Sequence, residues 1–265
     1  MILKIGFLGD IVGKSGRNFV KTSIESIKKE YSLDVLIANA ENASGGTGLG
    51  AKEALELHLA GIDLISLGDH SFSNNTLLSF INSRDNTFCI TPCNYEDNKA
   101  KKEYIVYNFN GVNIVLFSML GAVFIQEKIE NPFLKVDKVL EDINKNVPNN
   151  IIILDFHAEA TSEKMAMGYF VDSKISAFFG THTHVQTNDA KILQGGIGYI
   201  TDVGMCGPRN GVIGMDISYS LERLTGKRKK GYKLARGESK INGVVVLIDT
   251  KTKKTKEIKS FKLFE

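Results

Sequence analysis

Cysteine is scarce in this chain. There are three in 265 residues, Cys89, Cys93 and Cys206, with no Cys-x-x-Cys pair. An odd, unpatterned set argues against a disulfide framework and points to a reducing, cytoplasmic setting. Long apolar runs are missing too. None reaches the ~18–20 residues that a bilayer-spanning helix needs. The opening stretch Met1–Leu8 is too short for a signal peptide's apolar core and cleavage site before it meets Gly9-Asp10. Charge of one sign is not in excess: the formal net charge is +3, which selects no partner. No stretch is rich enough in Pro, Gly or Ser to be a linker, and no internal repeat is evident. A single domain over 1–265 is the expectation.

What is present is an alternation of apolar strands and amphipathic helices. Leu3–Leu8, Val35–Ala38 and Ile62–Leu67 read as strands. Arg17–Glu30, Ala51–Ala60 and Asn74–Ile81 read as helices between or after them. Tyr104–Phe109 and Val112–Ser118, joined by Asn110-Gly111, predict a hairpin. Val136–Ile143 reads as a helix and Ile151–Phe156 as a buried strand. Thr161 is placed to cap a helix running towards Phe170. Ile175–Phe179, Gly198–Ile200, Gly243–Ile248 and Glu257–Leu263 complete the strands. The pattern predicts an α/β layered fold with mixed sheets.

Strand ends collect the chemistry. Gly180-Thr-His-Thr-His-Val-Gln-Thr187 follows an apolar strand and presents His182 and His184 two residues apart. Asp10, Glu41 with Asn42, Asp69 with His70, and His157 stand at four further strand ends. The fifth histidine, His58, falls in a helix and reads as structural. Carboxylates and imidazoles gathered together repel or must be neutralised, and metal cations neutralise them. Six or seven oxygen and nitrogen ligands exceed one tetrahedral zinc. They suit two metals sharing a bridging carboxylate, with manganese, iron or zinc matching the mixed ligand set.

Two other motifs compete. Gly9-Asp-Ile-Val-Gly-Lys-Ser15 is one residue short of a phosphate-binding P-loop, so it reads as a flexible turn placing Asp10. Gly46-Thr-Gly-Leu-Gly-Ala51 matches a dinucleotide fingerprint. Asn39–Gly45 separates it from its strand, where a dinucleotide-dependent oxidoreductase has its glycines at once. It reads better as a glycine-rich loop beside the metals. Thr225–Lys240 crowds Lys227, Arg228, Lys229, Lys230, Lys233, Arg236 and Lys240 together. It is expected to project as a basic insertion, near 216–240, able to attract nucleotide or RNA-derived phosphates.

At these residues a resemblance appears. Asp10, Glu41-Asn42, Gly68-Asp69-His70, Phe156-His-Ala-Glu-Ala-Thr-Ser-Glu-Lys164, the His182–His184 stretch and Thr201-Asp-Val-Gly-Met205 resemble, in order, the YmdB-type branch of calcineurin-like metallophosphoesterases. The resemblance implies a four-layer α/β/β/α sandwich and a dinuclear iron or manganese site. It also implies phosphodiesterase activity, notably on 2′,3′-cyclic nucleotides. Carried over by position, Asp10, Asn42 and His184 hold one metal. Asp69, His157 and His182 hold the other, Glu41 bridges, and His70 is the proton donor. The family has Gly-Asn-His where this chain has Gly68-Asp69-His70, which adds a negative charge at the second metal. The expected reaction is attack of a metal-bound hydroxide on phosphorus, with His70 protonating the departing oxygen. A regulatory nucleotide-binding protein with a weakly active metal site is the alternative that Asp69 keeps open. A homo-oligomer is compatible with the sequence, and a membrane partner is not expected.

Overall fold

The computed structural model describes every residue except 84, 85, 98, 229, 230 and 232. In chain order the first half runs β1 (Ile2–Leu8), β2 (Asp10–Ile11), α1 (Gly13–Tyr31), β3 (Val35–Asn39), α2 (Ala51–Leu59), β4 (Leu64–Ser66), α3 (Asn75–Ile81), β5 (Cys89–Ile90), β6 (Ile105–Phe109) and β7 (Val112–Leu120). The second half runs α4 (Pro132–Asn146), β8 (Asn150–His157), α5 (Thr161–Phe170), β9 (Ala177–Thr181), β10 (Lys191–Ile192), β11 (Gly198–Ile200), β12 (Met205–Pro208), α6 (Ile217–Leu224), β13 (Ser239–Asp249) and β14 (Lys254–Phe264).

The strands form two mixed sheets. One is ordered β2-β12-β13-β1-β3-β4-β5, with β14 paired to β13. The other is β10-β11-β9-β8-β7-β6. In the first, β1 pairs antiparallel with β13 and parallel with β3. In the second, β7 pairs antiparallel with β6 and parallel with β8.

The period-two geometry of a strand explains why the central ones read as unbroken apolar runs. Successive side chains point to opposite faces, and here both faces are covered. Ile114, Leu116, Ile151, Ile153, Ala177 and Phe179 turn towards the first sheet and join its core. Their neighbours Val115, Phe117, Ile152, Leu154, Phe156 and Phe178 turn the other way, onto Val136, Val139, Leu140 and Ile143 of α4 and Met167 of α5. Phe7 of β1 meets Phe179 of β9 across the sheets with ring centroids 4.7 Å apart. On the outer side of the first sheet, Val20, Ile24 and Ile27 of α1, with Ala54 and Leu57 of α2, close the core. The layers are therefore α/β/β/α.

Several boundaries differ from the sequence reading. Thr161 is the first helical residue of α5. Ala160 occupies the cap position and supplies no side-chain hydrogen bond. α4 starts four residues earlier than the apolar spacing predicts, because Asn131 accepts from Phe133 N at 2.9 Å and Pro132 takes the first helical position. The supposed flexible turn around Asp10 is the buried strand β2, whose Asp10 pairs with Met205 of β12. Residues 209–238 link β12 to β13 and carry α6, which buries none of its residues. Within the basic stretch there, Arg228 Nε pairs with Glu222 Oε2 at 2.7 Å and Lys233 Nζ with Asp216 Oδ2 at 3.2 Å. Lys229 and Lys230 lie outside the described residues. The three cysteines are buried and free. Among the described residues no helix is long and apolar enough to cross a membrane.

Candidate metal centre

The two sheets aim their strand ends at one place. From the first come Asp10 on β2, Glu41-Asn42 after β3 and Asp69-His70 after β4. From the second come His157, the last residue of β8, and His182 and His184 after β9. β1, β3 and β4 run parallel, as do β8 and β9, so within each sheet their carboxyl ends lie at a common edge.

Each imidazole is held by one nitrogen and leaves the other for the centre. Thr181 Oγ1 donates to Asp155 Oδ1 at 2.7 Å, so its oxygen accepts from His157 Nδ1 at 2.8 Å. His157 Nε2 then faces His182 Nδ1 at 3.0 Å, Asp69 Oδ1 at 3.1 Å and Glu41 Oε1 at 3.2 Å. His182 Nε2 meets Glu159 Oε2 at 3.1 Å, which leaves Nδ1 inward. His184 Nδ1 donates to the Ile213 carbonyl at 2.9 Å, which leaves Nε2 beside the Asn42 amide at 3.2 Å. Orientation of this kind, through a non-ligand acceptor, is how proteins fix metal-binding imidazoles.

The loop bearing the two histidines is strained. His182 has φ 100° and His184 φ 64°, a region that non-glycine residues occupy at a cost. Asp202 holds it there. Its Oδ2 accepts from Thr183 N at 3.1 Å and Thr183 Oγ1 at 2.7 Å, and pairs with buried Lys164 Nζ at 2.7 Å. Asp155 ties the two sheets beneath the centre, since its Oδ2 receives Asn39 Nδ2 at 2.9 Å and Ser66 Oγ at 2.6 Å.

The charge is unbalanced in the way a cation would correct. Burial, with Glu41 and Asp202 nearby, drives the Asp10 carboxyl well above its ordinary range despite His157. Burial also opposes charge on Glu41 and Asp69, but the His157 imidazole outweighs it and lowers both. Burial pushes His157 down, yet Glu41, Asp69 and Asp10 overcome it and raise it well above 6.5. His182 is lowered to about 4 by burial and by the charge on His157. The Glu41 and Asp69 carboxylates thus lean chiefly on the His157 imidazole, while Asp10 is pushed towards its neutral form. Asp10 Oδ1 is buried with no hydrogen-bond partner.

The residues fit a metal centre. Glu41, Asp69, His157 and His182 each offer a ligand atom, and these lie within 4.8 Å of one another. Asn42 Nδ2 donates to Glu41 Oε1 at 2.9 Å, which joins the Asn42–His184 pair to that group. Asp10 Oδ2 accepts from His182 N at 3.1 Å, placing the orphaned Oδ1 close by. Gly68 makes room: a Cβ there would collide with Glu41 Oε2 and His157 Nε2. Above lies a cleft of about 380 Å³, lined in part by Gly46, His70, Glu159, His182 and His184. All seven expected ligands therefore come together, with His70 on the cleft wall. His58 lies elsewhere, stacked on Phe88 at 3.9 Å.

Sequence reasoning gave no role to Glu159, Asp155, Thr181, Asp202 or Lys164. Position offered a signal for Glu159 and Asp202: the first follows His157 by two residues, and the second ends a short strand. Nothing in the sequence marked Asp155 apart from its strand neighbours.

Known proteins place the chain independently. Residues 7–261 match the family described as YmdB-like protein. The 2′,3′-cyclic-nucleotide 2′-phosphodiesterase of Bacillus subtilis (strain 168) is 38% identical over 256 residues, covering 97% of this chain and 95% of its own. The crystal structure of a novel phosphatase from Mycoplasma pneumoniae superposes with a TM-score of 0.92 at 34% identity, covering 100% of this chain and 94% of the other. The NAD nucleotidase of Haemophilus influenzae, at 13% identity and a TM-score of 0.56, covers 100% of this chain and 56% of its own and shares the fold. With the match running along nearly its whole length, the chain belongs to the family of YmdB-like proteins.

Proposed function

We propose that this phosphoesterase is a dinuclear-metal phosphodiesterase acting on small phosphodiesters, 2′,3′-cyclic nucleotides foremost. The observation that carries the reading is the cluster of Glu41, Asp69, His157 and His182, joined by Asn42, His184 and Asp10 beneath one cleft, with Asp10 Oδ1 buried and without a hydrogen bond. The name of the Bacillus subtilis relative supports the substrate class.

Asp10, Asn42 and His184 would hold one ion, Asp69, His157 and His182 the other, and Glu41 would be shared. The carboxylate and imidazole set suits iron or manganese, and zinc less closely. Ions held there supply Lewis acidity, which activates water and takes up charge on phosphoryl oxygens. The protein's own part is orientation and proton delivery. Asp155 and Thr181 keep His157 in one tautomer, Glu159 fixes His182, and the Ile213 carbonyl fixes His184. Asn42 must turn its amide so that Oδ1 replaces Nδ2 towards the centre. His70 Nδ1 lies 3.9 Å from Asp69 Oδ2, and the ring is part-exposed on the cleft wall. From there it can give a proton to the departing ribose oxygen.

The test is turnover of a 2′,3′-cyclic nucleotide with manganese added, by the wild type and by His70→Ala. General acid catalysis contributes ~10²–10⁴-fold, so His70→Ala is expected to lose that much turnover and keep its metal. Wild-type protein that binds the nucleotide and never turns it over would instead make the chain a nucleotide-binding protein.

A further inference from the structure

Residues 212–215 form a two-residue hairpin turn beside the metal centre. Val212 N donates to Met215 O and Met215 N to Val212 O, both at 2.9 Å. Ile213 has φ 48° and Gly214 φ 93°, the pair of positive angles of a type I′ turn. Such a turn favours Asn or Asp at its first central position. A β-branched residue with positive φ is a genuine outlier, and outliers that persist are held for a reason. The surroundings over-determine this one. Asp216 N donates to Lys233 O at 2.9 Å and Ala235 N to Gly214 O at 3.0 Å. The Ile213 carbonyl accepts from His184 Nδ1. The strain does not serve packing, because Ile213 is 48% exposed.

The exposed side chain stands on a shared wall. Ile213 and Met215 line the cleft over the candidate ligands, and they also line a second hollow of about 290 Å³. Val212, Tyr219, Ser220, Arg223 and Leu224 complete that hollow, which is mostly apolar. Leu224 is 82% exposed at the end of α6. A phosphodiester reacting in the cleft therefore has an apolar, aromatic-edged hollow next to it, across the wall that Ile213 and Met215 share. Ligand sites of this kind combine an apolar wall with a few convergent polar groups.

We propose that this hollow is the nucleobase subsite, with Ile213 and Leu224 contacting the face of the base. The assignment rests on the phosphodiesterase reading for its ligand class. Its test reads equilibrium binding, so the two can fail separately. Calorimetry with manganese present would compare a nucleoside monophosphate with ribose phosphate lacking the base. Wild-type protein is expected to bind the nucleotide at least about tenfold more tightly, the scale of burying one modest apolar group. Ile213→Asn keeps the carbonyl that holds His184 and relieves the turn, so its Tm is expected to match or exceed that of the wild type. Ile213→Asn and Leu224→Ser should each cut the nucleotide's advantage severalfold. Equal wild-type affinities for the two ligands, or variants that weaken both alike, would overturn the subsite. Binding that discriminates without turnover of a 2′,3′-cyclic nucleotide would sink the phosphodiesterase reading and leave the subsite standing. Sedimentation of the same proteins covers the competing occupant. If Leu224→Ser dissociates an oligomer while base discrimination is unchanged, the face is an interface between copies and not a base site.

Discussion

Single atoms decide the centre. Gly68 is needed because any Cβ would occupy the space between Glu41 and His157. Gly68→Ala is therefore expected to lose metal, read by elemental analysis, with a smaller loss of Tm, since the clash falls on the site and not on the main core. Asp69 makes a different argument. Its Oδ1 lies 3.1 Å from His157 Nε2, so this carboxylate sits inside the cluster. Asp69→Asn keeps the shape and removes one negative charge. A less charged centre is a stronger Lewis acid, so the alkaline side of the pH–rate profile should move down and turnover near neutral pH should rise. The measurement is that profile with each metal in excess. An unchanged profile would mean that Asp69 does not ligate.

The elements show what a sequence discloses and what it hides. β8 was legible because eight consecutive residues are buried on two covered faces, and its last residue, His157, marked itself by type. β12 was hidden because Met205–Pro208 is a short strand with a glycine and a proline. It exists because β2 and β13 flank it. α6 was passed over although Ile217, Leu221 and Leu224 recur at helical spacing, and that stripe stands exposed in the fold. The His182–His184 loop was read from its residue types, but its strain was not, because Asp202 and Lys164 reach it from other elements. Lys164 is buried and its ammonium pairs with Asp202. Lys164→Met removes the partner of a buried carboxylate, a change that costs about 3–5 kcal/mol. Chemical denaturation should show a loss of that order, with weaker metal binding as the loop relaxes. Wild-type stability in this variant would remove Lys164 from the account.

At the scale of the whole molecule, two mixed sheets face one another and bring their functional strand ends to a common site. The alternation of apolar strands and helices was enough to predict an α/β layered fold. Which strand end meets which required the pairing of β9 with β8 and of β3 with β4, which no local pattern carries. The candidate residues could still be named from the sequence because each follows or ends an apolar strand, and the structure brings those strand ends together. The central claim is that this convergence exists to hold metal for phosphodiester hydrolysis. The most direct measurement is elemental analysis of protein purified without chelator, paired with turnover of a 2′,3′-cyclic nucleotide before chelation, after it, and after metal is restored. The account predicts about two transition-metal ions per chain, turnover lost with the metal and regained with it. Metal-free protein with undiminished turnover would contradict it.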